Sequence, residues 1–461
     1  MTKTTAITAA IVERVMAIAR RPLPDATLRL AKQCVLDWSA VAIAGANEPL
    51  VQLMRAQASA EGGFPRATVV AHVHKMSARQ AALLNGAMGH ALDYDDVHSA
   101  LPGHITAAVF PAALAIAETE KCSGAALLHA FVAGYEAAVM IGLYVGMAHY
   151  NRGFHATGTI GAFGAAAACA VLLGLDHEST ARALGIAGTQ TAGLKAQFGT
   201  MCKPLHAGKA SENGLTAAQL ARDGFTSRVD IIECVQGFAD TQSSERHADA
   251  AIAAPRRGFH LHDNLFKYSA ACYGTHGAIE AARHLRITRA LNPDQIRNAQ
   301  VQVEASVDRI CNIAAPRTGL EAKFSLRFTT ALALAGEDTS DAAVFSDANA
   351  ARADLVTLRD RVTIGFSSDS PLLLSTVKVE TLEGQSFVHT HDASVPNDDL
   401  DAQSARLALK FRNLVVPCVG ETRGSEILKV IENLEQHDAN ALSSLLHGPR
   451  SGDLWKYDAA R

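Results

Sequence analysis

"ATGTIGAFGAAAACAVLLGL", residues 156–175, runs for twenty positions without a charged side chain. A stretch of that length is long enough to cross a bilayer. It also suits a helix buried on all sides within a helical domain. Its composition separates the two readings. It is mostly Ala, Gly and Thr, which gain little on transfer to lipid, and it is bounded by His155 and Asp176. Small residues instead let neighbouring helices approach closely. We read the stretch as a central buried helix and expect no membrane partner.

The chain on either side has the same texture. Apolar residues at helical spacing predict helices over 25–46 (Asp25 as N-cap), 77–92 (Ser77 as cap), 107–118, 123–148, 177–192 and 208–223, the last stopping at Gly224 as its C′ glycine. The N-terminal "MTKTTAITAAIVERVMAIAR" reads as an amphipathic helix. Glu13 and Arg14 break its apolar run, so it lacks the shape of a signal peptide. After about residue 260 the pattern changes. "KYSAACYGTHGAIEAARHL" (267–285) reads as a loop and a helix, 298–306 as a strand, 320–336 as a helix and 358–366 as a strand. Residues 375–392 read as a hairpin turning at Glu383–Gly384. Helical periodicity returns from about 398. The expected architecture is mainly α with a second α+β domain. Residues 1–265 form a large all-helical domain, 266–397 a smaller α+β lid domain, and 398–461 helices that pack back on the first. A cleft between the domains is the natural place for a ligand.

The totals narrow the partners. A net charge of −4 and a pI near 6.5 give no reason to expect nucleic acid. Eight cysteines without a C-x-x-C pair read as reduced thiols used as small core residues, which points to the cytoplasm.

Titratable residues gather in a few short stretches. "GHALDYDDVHSALPGH" (89–104) holds His90, Asp93, Asp95, Asp96, His98 and His104. A solvated helix end, a metal cage and an acid/base centre are all compatible with it. Carboxylates at a helix C-terminus face the negative end of the dipole, which favours a functional reading. No H-E-x-x-H, EF-hand loop or nearby cysteine supports a metal. "HYNRGFHATGTIGAFGAAA" (149–167) places Tyr150, Arg152 and His155 before a helix start, with Thr157 or Thr159 as the expected N-cap. Its glycines follow G-x-x-G-x-x-G and do not follow a strand, which excludes a dinucleotide fingerprint. In "FGTMCKPLHAGKASENG" (198–214), Gly199, Pro204 and Gly208 predict a loop before a helix. Lys203, His206 and Lys209 there offer positive charge to an anion. Lys267 and His276 open the second domain. No G-x-S-x-G elbow is present.

Together these residues resemble one family. "GHALDYDDVH", "FHATGTIGAFGAAAACAVLLGLD", "ALGIAGTQTAGLKAQFGTMCKPLHAGKASENGLTAAQLARDGFTS" and "EAKFS" are similar, in order and spacing, to the MmgE/PrpD family. That family includes 2-methylcitrate dehydratase, cis-aconitate decarboxylase and iminodisuccinate epimerase. The resemblance covers about residues 5–440. It implies a helical domain with an α+β lid, a homodimer, and metal-free, cofactor-free chemistry on a small di- or tricarboxylate. The family's active-site positions match Asp93, His104, His155, Lys203 and His276, and Tyr150 matches a tyrosine of the epimerase branch. Ile105 stands where the family usually has Pro, Val97 where the decarboxylase branch has Thr, and "KYSAAC" where the dehydratases have Lys-Pro-Tyr-Pro-Cys-Cys. These departures keep the acid/base groups and alter the walls.

From this pattern we expect Asp93 and His104 to transfer protons and Tyr150 to serve as a further acid/base. His155, Lys203 and Lys267 are expected to hold substrate carboxylates, with His276 completing the site. His90, Asp95, Asp96 and His98 are expected to hold the loop. The activity expected is that of a hydro-lyase, with epimerisation next to a carboxylate or decarboxylation as the alternatives.

Overall fold

The computed structural model describes residues 6–255 and 257–448. Residues 1–5 of the expected N-terminal helix and 449–461 of the expected C-terminal tail lie outside them. The chain forms two units. One runs to Phe266 and resumes at Asp398; the other is Lys267–Asn397.

The first unit is a stack of helices: α1 (Ile7–Arg20), α2 (Asp25–Gly45), α3 (Pro49–Glu61), α4 (Ala78–His90), α5 (Ile105–Thr119), α6 (Gly124–Asn151), α7 (Ala156–Leu172), α8 (His177–Gly188) and α9 (Cys202–Arg222). The charge-free stretch is α7, and Ala156 to Ala170 are all buried. It packs against α5, α6, α8 and α9. Small residues make this possible. Ala108, Ala162 and Ala210 form a core cluster between α5, α7 and α9. A Cβ on Gly161 would lie 2.6 Å from that of Ala108, and one on Gly214 would lie 2.6 Å from the carbonyl oxygen of Ala162. Backbones this close gain dispersion over their whole length. Among the described residues, the helix long and apolar enough to cross a membrane is α6, and 83% of its apolar window is buried within the protein.

Several local expectations shift. Pro24, not Asp25, is the N-cap of α2, so Asp25 takes the first helical turn, where a carboxylate complements the dipole. Ser77 caps α4 in a reciprocal capping box with Gln80. The N-cap of α7 is His155 itself, ahead of Thr157 and Thr159. The expected loop through 198–207 is shorter, because α9 already begins at Cys202. Pro204 falls in its first turn, where a missing N–H costs nothing. Gly146 takes φ 59°, and a kink there redirects the last turn of α6, which carries Tyr150. The C-terminal helix Leu400–Val419 packs along α2.

The second unit carries a four-stranded mixed sheet. Numbering after the short pair β1 (Val97–His98) and β2 (Asn264–Leu265), its strands are β3 (Ile296–Glu304), β4 (Val362–Ser367), β5 (Leu374–Thr381) and β6 (Ser386–Asp392), in the order β4-β3-β5-β6. Strand β3 is parallel to β4 and antiparallel to β5, with Val301 opposite both Ile364 and Val377. Ser375, Val377, Val379 and Thr381 alternate inward along β5, one face of a half-buried strand. That sheet packs against the helix His276–Thr288. Gly384 turns the β5–β6 hairpin at φ 84°. The expected 320–336 helix is two pieces, Gly319–Ala322 and Leu326–Ala335, because the Ser325 side chain caps the second. Of the expected strand 358–366, residues up to Asp360 are helical (Ala353–Asp360), and the strand starts at Val362.

Candidate active site

Three separate segments of the first unit supply the cluster. His90 ends α4. The loop after it turns at Asp93, which takes φ 50°, a left-handed conformation that Asp tolerates better than most residues. The chain then forms β1, paired antiparallel with β2, and reaches His104, the N-cap of α5. The backbone N–H of His104 donates to Thr157 Oγ1 (3.0 Å), which ties the start of α5 to the start of α7. His155 precedes Ala156 at that start, and its N–H donates to the carbonyl of Gly193 (3.0 Å). Lys203 and His206 share one face of α9, three residues apart.

Asp95 sits at the centre. His90 Nδ1 lies 3.0 Å from both of its carboxylate oxygens, and His104 Nδ1 lies 3.1 Å from Oδ2. Burial pushes the Asp95 carboxyl up, but the two imidazoles together outweigh it and hold the group well below the usual carboxylate range. An ionised carboxylate only accepts, so it selects the Nδ1–H tautomer on His90. His104 meets Asp95 through the closeness of the two charges, without a hydrogen bond at Nδ1, and its Nε2 is turned to the accessible end. It points to Asp93, 3.7 Å away, and Asp93 in turn lies 2.8 Å from the Lys203 ammonium. The Asp93 side chain is 36% exposed and Asp95 only 1%, so Asp93 and Lys203 form the accessible end and Asp95 the buried anchor.

The other two histidines are neutral members. Burial lowers His90 to about 4, with Asp95 opposing the shift. Its ring lies 4.3 Å from that of His104 and 5.8 Å from that of His155. Burial, His90 and Lys203 together drive His155 far below the usual imidazole range. Its Nδ1 lies 3.0 Å from His206 Nδ1, so one ring donates and the other accepts. His155 is therefore a neutral hydrogen-bonding group, not the cation that a simple carboxylate-holding role would use. Phe198 sets its edge against His155 at 4.9 Å. Tyr150 is half-buried, with the Lys195 ammonium 3.5 Å from its ring centre. Burial and the field of Asp93 push its phenol up, so the hydroxyl stays protonated. The field of Asp93 ties Tyr150 electrostatically to the cluster.

Asp93, His104, His155 and Lys203 therefore come together, with Tyr150 in their field. Lys267 and His276 belong to the second unit. Lys267 is buried there; His276 is the first residue of its helix, with Nε2 3.3 Å from the carbonyl of Ala271. Lys209 pairs with Glu212 (2.5 Å). Asp95, expected to hold the loop, lies beside two imidazole rings. Phe198 and Lys195 are neighbours of the cluster for which the sequence carries no signal. His206, expected with Lys203 and Lys209 to offer positive charge to an anion, is here the hydrogen-bonding partner of the His155 ring.

His98 and Asp96 serve the scaffold. His98 Nε2 binds the carbonyl of His260 (3.0 Å) and Nδ1 accepts from the N–H of Ala100 (3.1 Å). Asp96 accepts from the Thr106 hydroxyl (2.6 Å), and burial with the nearby Asp37 holds its carboxyl well above the usual range. One further arrangement is open to this set. Ligand atoms of His90, Asp93, Asp95 and His104 all lie within 4.8 Å of one another, a donor set suited to a divalent transition metal.

The chain matches the MmgE/PrpD N-terminal domain over residues 9–251 and the MmgE/PrpD C-terminal domain over residues 269–436. It belongs to the MmgE/PrpD family. It is similar to the cis-aconitate decarboxylase of Aspergillus terreus, 28% identical over 468 residues that cover 95% of each chain. The human cis-aconitate decarboxylase is 26% identical over 446 residues, 93% of this chain and 92% of the relative. The mouse enzyme of the same name is 25% identical over 459 residues, 94% of this chain and 91% of the relative. By name, all three are lyases.

Proposed function

We propose that this member of the MmgE/PrpD family is a lyase that adds or removes water next to a carboxylate of a small di- or tricarboxylate, by acid/base catalysis without a cofactor. The observation that carries this reading is the line Asp95–His104–Asp93–Lys203. It sets two proton-handling groups and one cation side by side. In the elimination direction, Asp93 or His104 takes the C–H proton beside the carboxylate. The electron pair forms the C=C bond, and the hydroxyl leaves as water with a proton from the other group. Lys203 holds the carboxylate on which negative charge builds, and Tyr150 and His155 donate hydrogen bonds around it.

Decarboxylation is the second reading, favoured by the names of the relatives. There the carbon–carboxylate bond breaks, its electron pair stays on carbon, and His104 delivers the proton. Epimerisation shares the first proton removal and returns the proton to the opposite face. One experiment separates the three. Di- and tricarboxylates that raise the melting temperature are incubated with enzyme in deuterated water, and products are read by NMR and mass. We expect water to be lost or gained. Carbon dioxide release supports the second reading, and deuterium uptake with inversion and no loss of water or carbon dioxide sinks both lyase readings. The resemblance also supports a homodimer, and eight cysteines without a C-x-x-C pair support a cytoplasmic setting; sedimentation of the purified chain tests the dimer.

A further inference from the structure

The helix Leu400–Val419 buries Gln403, Leu407, Lys410, Phe411 and Leu414, an inward stripe at three- and four-residue spacing. Lysine is out of place in such a stripe. Lys410 is 1% exposed, and its ammonium lies 2.5 Å from Asp37 Oδ1 on α2. It also donates to the backbone carbonyl of Tyr94 (2.6 Å) and sits 3.9 Å from the centre of the Tyr94 ring. Tyr94 lies between Asp93 and Asp95. The carbonyl that Lys410 grips belongs to the peptide plane that leads into Asp95, one residue past the left-handed turn at Asp93.

Stability alone is a poor account of this arrangement. A buried ion pair is often replaced by apolar residues of similar volume at no cost, because removing two charges from water offsets their attraction. What an apolar pair cannot do is fix the Tyr94 carbonyl. Non-glycine residues at positive φ persist only where their surroundings hold them. Small shifts in a proton-transferring group are costly in rate. We propose that Lys410 is a positioning residue for the acid/base cluster. Its grip on the Tyr94 carbonyl holds the 93–95 turn so that Asp95 meets both His90 and His104 while Asp93 faces Lys203. Lys410 touches no reacting atom and acts through Asp95 and His104. The proposal rests on the acid/base reading above.

Two paired variants of the full chain test it. Asp37→Leu with Lys410→Met removes the charges and the grip together. We expect its melting temperature to stay within a few degrees of wild type and kcat to fall at least tenfold. KM should change less than threefold, and amide hydrogen exchange should quicken at residues 91–98 alone. Asp37→Asn with Lys410→Gln keeps an uncharged donor for the Tyr94 carbonyl, and we expect kcat within about threefold of wild type with slow exchange restored. An apolar pair that retains wild-type kcat overturns the proposal. So does exchange that quickens evenly along α2 and the C-terminal helix. If the apolar pair does not fold, the amide pair decides alone: slow exchange at 91–98 with wild-type kcat supports the grip, and any other combination overturns it. Exchange is read without turnover. A wild type that converts no acid therefore defeats the lyase reading while the exchange arm still judges the grip.

Discussion

Two sets of buried histidines lie close together in the first unit and do opposite things. His98 and His149 have both ring nitrogens engaged. His98 binds a carbonyl and an amide N–H; His149 binds the Gln242 carbonyl (3.1 Å) and the Thr159 hydroxyl (2.8 Å). His90 and His104 instead share one carboxylate, and their other nitrogens are left for different work. Histidine density and burial do not distinguish the two sets. The distinction lies in whether neutral groups saturate the ring or an ionised one orients it, because only the second leaves a directed nitrogen beside exchangeable charge.

The sharpest way to break this contrast is to remove one histidine from each set. His104→Asn should lower kcat by about 10²–10⁴, the range for loss of a general acid or base, while the fold survives. His98→Asn should leave kcat within a few-fold and lower unfolding free energy by about 1–3 kcal/mol through its unsatisfied partners. Circular dichroism and steady-state rates on both variants check this. Equal loss of activity in both would erase the distinction.

Next in size is the cation. Lys203→Met should cost kcat/KM roughly 10–100-fold, as expected for one charge-assisted hydrogen bond to a carboxylate. Lys209→Ala, whose lysine pairs with Glu212 on the surface, should change it less than twofold. Asp95→Asn comes third. It keeps the shape but presents an N–H₂ where the rings need an acceptor, and kcat should fall by about tenfold or more, with little change in KM.

The smallest effects are on stability and metal. Burial lowers His90, His98 and His149 to about 4 in the folded protein. Between pH 6.5 and 4 the unfolded chain takes up protons on these rings that the folded chain refuses. Stability is therefore intact above about pH 6.5 and falls as pH drops towards 4, by on the order of 1–3 kcal/mol for each such ring. Replacing His149 with Gln should flatten that slope in thermal melts; an unchanged slope would mean that His149 does not resist protonation. Finally, elemental analysis of the purified enzyme should show no stoichiometric metal, and a chelator should change activity less than twofold. A bound metal with chelator-sensitive turnover would move the His90–Asp93–Asp95–His104 set from acid/base work to ligation.

Much of the fold was legible because packing leaves a periodic signature. The charge-free α7, the cap at Ser77 and the hairpin at Gly384 each follow from local patterning. The misread start of α9 shows the limit. Proline and two glycines look like loop signals, yet the first turn of a helix tolerates proline, and Gly208 is small because its Cβ would lie 2.3 Å from the carbonyl oxygen of Leu83 on α4. That reason is a neighbour distant in sequence, which local patterning does not carry. The same holds at the site. Asp93, His104, His155 and Lys203 were recognisable as candidates, whereas the sharing of Asp95 by two rings was not.

The sequence by itself determined the helical first unit, the α+β character of the second, the family, and which polar residues were candidates for chemistry. Tertiary structure alone decided their states. It drove His155 far below the usual imidazole range, held Asp95 ionised in spite of burial, raised the Tyr150 phenol further, and brought Lys410 from the C-terminal helix to the Tyr94 carbonyl. Periodicity is a property of neighbours along the chain. A proton affinity depends on burial and on charges a few ångströms away, and folding draws those charges from anywhere in the sequence.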